Sequence, residues 1–253
     1  MSTPDEHQPE QGLGTLEGRR VVQLLWDPAD PTPARGPKPR TNLTEVIRAG
    51  ISIADAEGLA ALSMRKVAAE LGVGAMSLYT YVPGRDELIE VMIDLVYADH
   101  ALPDPVDGWR TRVDTWARES WRIYGEHPWL LDFNSARLPI GPHVLDVEES
   151  LYAALAAGGF VGGQIVAQAN LVRWQLLGAA RSSIGDLAEE RHTGVSTEAY
   201  WDSRASFWVT YFDYARFPTM AAIHHAGGFE DPSGWSFDQM LVRLLDGIEQ
   251  VER

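Results

Sequence analysis

The chain has 253 residues, with 36 acidic side chains against 21 Lys and Arg and a formal net charge of −15. It has no cysteine, which excludes disulfide frameworks, zinc fingers and thiol chemistry. Its opening, MSTPDEHQPEQGLG, is polar and acidic rather than a secretory leader, and no apolar run approaches the roughly 18 residues of a membrane span. A cytoplasmic protein without membrane contact is expected.

Residues 1–17 are rich in Pro, Glu, Gln and Gly and have little to bury. Gly18–Trp26, GRRVVQLLW, is an apolar island that could dock on the body or on a partner subunit. Pro28, Pro31, Pro33, Pro37 and Pro39 then favour an extended segment. Residues 1–40 are therefore read as a disordered or extended arm. Arg35, Lys38 and Arg40 on it either follow a nucleic-acid backbone or minor groove or are simply solvated.

Leu43, Val46, Ile47, Gly50, Ile51 and Ala54 recur at helical spacing and predict a helix over 43–57. Asn42 followed by Glu45 suits its N-terminus, and Gly58 ends it. Ser63–Arg85, SMRKVAAELGVGAMSLYTYVPGR, reads as two short helices about a turn at Gly72. Ser63 is the N-cap of the first. The second is expected over Ala75–Val82, with Leu78 and Val82 facing in and Ser77, Thr80 and Tyr81 facing out. Lys66 in a first turn opposes the helix dipole, a placement that suits a nearby phosphate. Such a small, uncharged outer face fits a major groove; an ordinary surface hairpin has the same spacing. Seven cations stand against four anions from Arg35 to Arg85, so this segment is net basic on an otherwise acidic chain, as suits a protein touching DNA at one end.

A fourth helix starts near Asp86-Glu87 and runs to about Ala101, where Pro103 and Pro105 mark a boundary between a domain at 41–101 and one at 106–253. Helices are expected from Asp107 to Glu126, from Pro142 to Ala157, and from Gln164 to Ser183, the last followed by a polar loop over Gly185–Ser196. Gly158-Gly159 and Gly162-Gly163 mark a corner around Phe160. An aromatic-rich stretch covers Thr197–Tyr214, a short helix is expected to resume through His225, and a last helix spans about Gly234–Val251. No strand-like alternation of any length is present, so the fold is expected to be all-α, with about ten helices.

The run Gly58-Leu59, Leu62-Ser63-Met64-Arg65-Lys66-Val67-Ala68, Leu71-Gly72-Val73, Ser77-Leu78-Tyr79, Tyr81-Val82, Arg85 and Leu88 closely resembles the DNA-binding domain of the tetracycline-repressor (TetR) family. The resemblance covers about Thr41–His100. It implies a three-helix helix-turn-helix domain joined by the fourth helix to a helical ligand-binding and dimerisation domain. It implies a regulator, expected to be a repressor that binds a palindromic operator on double-stranded DNA as a homodimer and is released by a hydrophobic or aromatic small molecule. The positions that it assigns to DNA are Ser63, Met64, Arg65, Lys66, Ala75, Met76, Ser77, Tyr79, Thr80, Tyr81 and Arg85, with the Arg35, Lys38 and Arg40 arm beside them. Arg65 is the candidate for a guanine, while Tyr79, Tyr81 and Arg85 suit phosphates. The dimer would form through about 164–183 and 234–251. Trp116, Trp121, Tyr124, Trp129, Asn134, Trp174 and Phe207 are candidate pocket residues, though each also suits core packing.

No HExxH, GxSxG, phosphate-loop or dinucleotide-binding spacing occurs, so neither a catalytic or metal site nor a cofactor is expected. Two other readings stay open: an architectural DNA-binding protein without an inducer, and an all-α enzyme acting on a small molecule.

Overall fold

The computed structural model describes residues 16–27, 41–133, 138–229 and 236–251. These form helices α1 (Leu16–Trp26), α2 (Leu43–Glu57), α3 (Met64–Glu70), α4 (Ala75–Leu78), α5 (Arg85–Tyr97), α6 (Trp109–Glu126), α7 (Pro142–Ala157), α8 (Gly163–Thr193), α9 (Thr197–Asp202), α10 (Ser206–Thr210), α11 (Pro218–His225) and α12 (Phe237–Glu249), with 3-10 turns at Leu59–Ala61 and Pro128–Asp132. The described residues contain no strand. The chain is all-α, as its periodicity implies, and divides into two compact units: 1–100 with 126–149, and 101–125 with 150–253.

In the first unit, α2 begins with the capping box expected from Asn42 and Glu45. Glu45 N–H donates to Asn42 Oδ1 at 2.9 Å, and Asn42 N–H donates to Glu45 Oε2 at 3.2 Å. One face of α2 lies against α5. Gly50 makes that crossing close, since a Cβ there would stand 2.7 Å from Met92 Sδ. Val46, Val67, Leu78, Val82, Leu88 and Met92 are completely buried, so the inward roles expected of Leu78 and Val82 hold. Helix α1 packs on α5 and buries Val21 and Leu25, and the Trp26 indole donates to the Ile140 carbonyl at 2.7 Å. The apolar island thus docks on its own chain. Asp94 of α5 is buried and accepts from the Val144 N–H at 3.0 Å, satisfying the start of α7 from outside that helix. Burial pushes its carboxyl above the ordinary value, against the lowering effect of the Val144 and His143 amides. Gly141 is required beside it, because a Cβ there would fall 2.2 Å from Asp94 Oδ1.

In the second unit, α6 is pinned to α12 by polar groups outside an apolar seam. Arg110 pairs with Asp246 and with Glu249, the latter at 3.1 Å. Arg118 bridges Asp114 at 2.7 Å and Asp238 at 2.6 Å, and these hydrogen bonds hold its guanidinium protonated well beyond the usual range. Trp121 stacks on Phe237 with ring centroids 4.4 Å apart. Helix α12 also packs on α8. The glycine-flanked corner is as expected: Phe160 is buried there and meets Trp109 edge to face.

Helix α8 runs ten residues past Ser183, through the segment expected to be a loop, and stops at Gly194 with φ 70°. Gly185 weakens that stretch, but its neighbours Asp186, Leu187, Ala188, Glu189 and Glu190 do not break a helix. The aromatic-rich stretch splits into α9 and α10, and α12 is shorter than Gly234–Val251.

Candidate functional site

The motif's two helices are α3 and α4, joined through Gly72 at φ 65°, a left-handed conformation that favours glycine. Ser63 Oγ accepts the Lys66 N–H at 3.3 Å, the cap expected from the sequence. Helix α4 is only four residues long, against the eight expected. Beyond Leu78 the chain tightens: Tyr81 N–H reaches the Leu78 carbonyl at 2.9 Å, and Thr80 Oγ1 donates to the Ser77 carbonyl at 2.6 Å. Buried Leu78 and Val82 anchor this segment.

The outer face carries Met76, 79% exposed, and Tyr79, 47% exposed, with Ser77 and Thr80 also exposed and Ala75 half-buried. Ser63 and Arg65 are exposed at the start of α3. The guanidinium at the start of α3 and the phenol, thioether and hydroxyls of the α4 segment can meet phosphates, a guanine edge and a thymine methyl.

Four expected DNA ligands have other work. Met64 is buried and belongs to the core. Lys66 Nζ is paired with Glu57, which offsets the helix dipole without a phosphate. The Tyr81 hydroxyl donates to the Thr41 carbonyl at 2.7 Å, tying the end of the motif to the start of α2. Arg85 Nε donates to the Leu62 carbonyl at 2.9 Å and Nη2 to that of Leu59 at 2.8 Å. Its fork thus stitches the start of α5 to the turn before α3. Arg35, Lys38 and Arg40 lie outside the described residues.

The candidate pocket residues have different surroundings. Trp116 and Tyr124 are buried on one face of α6. Trp121 is engaged by Phe237. Trp129 belongs to the first unit, where its indole donates to Asp55 Oδ1 at 2.7 Å; His127 Nδ1 lies 2.7 Å from the same oxygen. Trp174 is 66% exposed, because it sits on the side of α8 opposite Ala169, Val172 and Leu176. Phe207 is exposed in part and packs with Trp208 and Phe212. Asn134 lies outside the described residues. Arg112 and Gln168, which the sequence pattern does not single out, carry buried polar atoms in the second unit. The available signal is the place of Arg112 between Trp109 and Trp116 on an otherwise apolar stripe.

No helix among the described residues is long and apolar enough to cross a membrane.

Comparison with known proteins agrees with the motif. The model for bacterial regulatory proteins of the tetR family matches residues 46–92, and that for the tetracyclin repressor-like C-terminal domain matches residues 102–252. The HTH-type transcriptional repressor DrrR1 of Streptomyces coeruleorubidus is 39% identical over 241 residues, spanning 93% of this chain and 87% of that protein. Among solved structures, ActR of Streptomyces coelicolor in complex with actinorhodin superposes with a TM-score of 0.70 at 25% identity, covering 82% of this chain and 95% of that one. ActR in complex with (S)-DNPA gives 0.67 at 25% identity, covering 83% and 98%. The helix-turn-helix at α3–α4, the helical region that follows it and these relatives lead to one conclusion: the chain belongs to the tetR family of bacterial regulatory proteins.

Proposed function

We propose that this protein is a cytoplasmic transcriptional repressor that binds a palindromic site on double-stranded DNA as a homodimer and is released by a hydrophobic or aromatic small molecule. The observation that carries the reading is the outward display of Met76, Ser77 and Tyr79 on a short helix anchored inward by fully buried Leu78 and Val82, with Arg65 exposed at the start of α3. Large apolar side chains are otherwise costly to leave in water, and a groove gives them a partner. The name of the relative DrrR1, a transcriptional repressor, supports the sense of regulation, and the ActR complexes support a small-molecule effector.

Residues 41–101 are assigned to DNA binding and 106–253 to ligand binding and dimerisation, with 1–40 as an arm. The dimer is assigned to α8 and α12, which pack on each other and still expose Val166, Leu171, Trp174 and Val242. Two reading heads about 34–36 Å apart would then meet successive major grooves.

The test is fluorescence anisotropy with a labelled duplex from the region upstream of the protein's own gene. Binding is expected to weaken steeply with salt. Arg65→Ala and Tyr79→Ala are each expected to lower affinity by roughly tenfold to a hundredfold, or about 1–3 kcal/mol, with an unchanged melting temperature. Wild-type affinity in both variants would overturn the assignment.

A further inference from the structure

Helix α6 carries four arginines, and they fall into two groups. Arg110, Arg118 and Arg122 are partly exposed, and each is paired with carboxylates: Asp246 and Glu249, Asp114 and Asp238, and Glu119 respectively. Arg112 is the buried one, 8% exposed, and its Nε has no hydrogen-bond acceptor among the described residues. No carboxylate among those residues forms an ion pair with it. At about 100° per residue, Arg112 lies about 160° around the helix from Arg110, away from the α12 seam. It shares its stripe with Trp116 and Ile123, both buried.

A guanidinium cannot escape burial by losing its proton. An uncompensated buried cation is strongly unfavourable, so buried charges in folded proteins are paired. Arg112 Nε has no such partner among the described residues. A second group in the same unit is in a similar state: Gln168 Oε1 on α8 is buried and accepts no hydrogen bond. Two unmet polar atoms in a unit that also buries Trp116, Tyr124 and Phe160 fit the few polar groups and apolar lining of a site for a polar aromatic molecule.

We infer that Arg112 anchors an anionic effector, an aromatic molecule bearing a carboxylate or an ionised phenol, in the second unit. The fork of the guanidinium matches two oxygens of a delocalised oxyanion, and Trp116 one turn along offers the ring system an apolar wall. The inference rests on the reading of this region as an effector site and adds the chemical class of the effector.

The test uses the full chain and matched pairs of probes: 2-naphthoate with 2-naphthamide, and anthracene-9-carboxylate with its amide. Binding is followed by thermal shift and by tryptophan fluorescence, against wild type and Arg112→Met. Wild type is expected to prefer each acid over its amide by about tenfold or more, and Arg112→Met is expected to bind the two within about twofold of each other. Equal response of wild type to acid and amide, or no response to either acid, overturns the inference. A second measurement needs no ligand. Relieving an unpaired buried charge with a neutral side chain of similar length is expected to raise the melting temperature of the free protein by about 2 °C or more. A fall of several degrees, or loss of the dimer in sedimentation, would show that Arg112 already has a structural partner and overturns the inference. Neutral amides that bind and release DNA would leave the effector-site reading standing while removing the anion. Failure of every binder to release DNA would remove the effector-site reading instead, and the melting-temperature result would still decide the state of Arg112.

Discussion

Arg65, Lys66 and Arg85 are alike in sequence, three cations set around one motif, and they end in three different environments. Arg65 faces solvent, Lys66 is held by Glu57, and Arg85 is hydrogen-bonded to two carbonyls. The difference is not legible from spacing, because the carbonyls of Leu59 and Leu62 come within reach of Arg85 only when the turn between α2 and α3 folds back on α5. Arg85→Ala is therefore expected to act on stability, by about 1–3 kcal/mol, chiefly through the Leu62 carbonyl, since that of Leu59 also accepts the Leu62 N–H at 3.2 Å, and urea denaturation checks it. Arg85→Lys is expected to recover little, since an ammonium has no planar fork to span both carbonyls. Asp94 provides a pH signature at the same scale. Its carboxyl is raised by burial above the ordinary 3.8, so the folded state holds this proton at pH values where the unfolded chain has lost it. The stabilisation from this group is complete below about 3.8 and is lost as pH rises through the raised value. The difference in unfolding free energy between wild type and Asp94→Asn is expected to shift against wild type across that interval. A pH-independent difference would refute it.

Among the elements, the ones legible in the sequence are those whose ends are chemically marked. Asn42 with Glu45 starts α2, Ser63 starts α3, Pro142 starts α7, and each stands where its side chain predicts. The misjudged ends are those set by weaker or tertiary signals. Helix α4 is cut short where Thr80 Oγ1 bonds the Ser77 carbonyl and the Tyr81 hydroxyl is drawn to the Thr41 carbonyl. Helix α8 passes through Gly185 because a single interior glycine weakens a helix without ending it. A Cβ at Gly185 would meet nothing within 4 Å. Gly185→Ala is accordingly expected to stabilise the protein by roughly 0.5–1 kcal/mol, measurable by chemical denaturation, with no change in DNA affinity. Legibility of the candidate site follows the same division. The outward Arg65, Met76 and Tyr79 can be read from the helical phase of Val67 and Leu78, whereas the partners of Lys66 and Tyr81, Glu57 and Thr41, come from the preceding helix and its start and are set by the fold.

For the whole molecule, the net charge of −15 makes general attraction to DNA weak, so affinity must come from the basic segment presented twice. This makes dimerisation a condition of function under the proposed reading. Trp174→Glu on the exposed side of α8 is expected to yield monomers in sedimentation velocity at micromolar concentration and to abolish DNA binding, while helicity stays unchanged. A dimeric Trp174→Glu protein would show that Trp174 lies outside the interface.

The shared oxygen of Asp55 has one more consequence. Oδ1 serves both His127 and Trp129, so two polar links from α2 to residues 127–129 share one atom. One atom serving two lines couples them: substitution of Asp55 by Ala releases both hydrogen bonds at once, and no change at His127 or Trp129 alone does. The indole on one of those lines is also a built-in strain gauge. Displacement of α2 from residues 127–129 alters the hydrogen bond of Trp129 and with it the emission of that ring, a contribution that comparison with Trp129→Phe separates from the rest of the nine tryptophans.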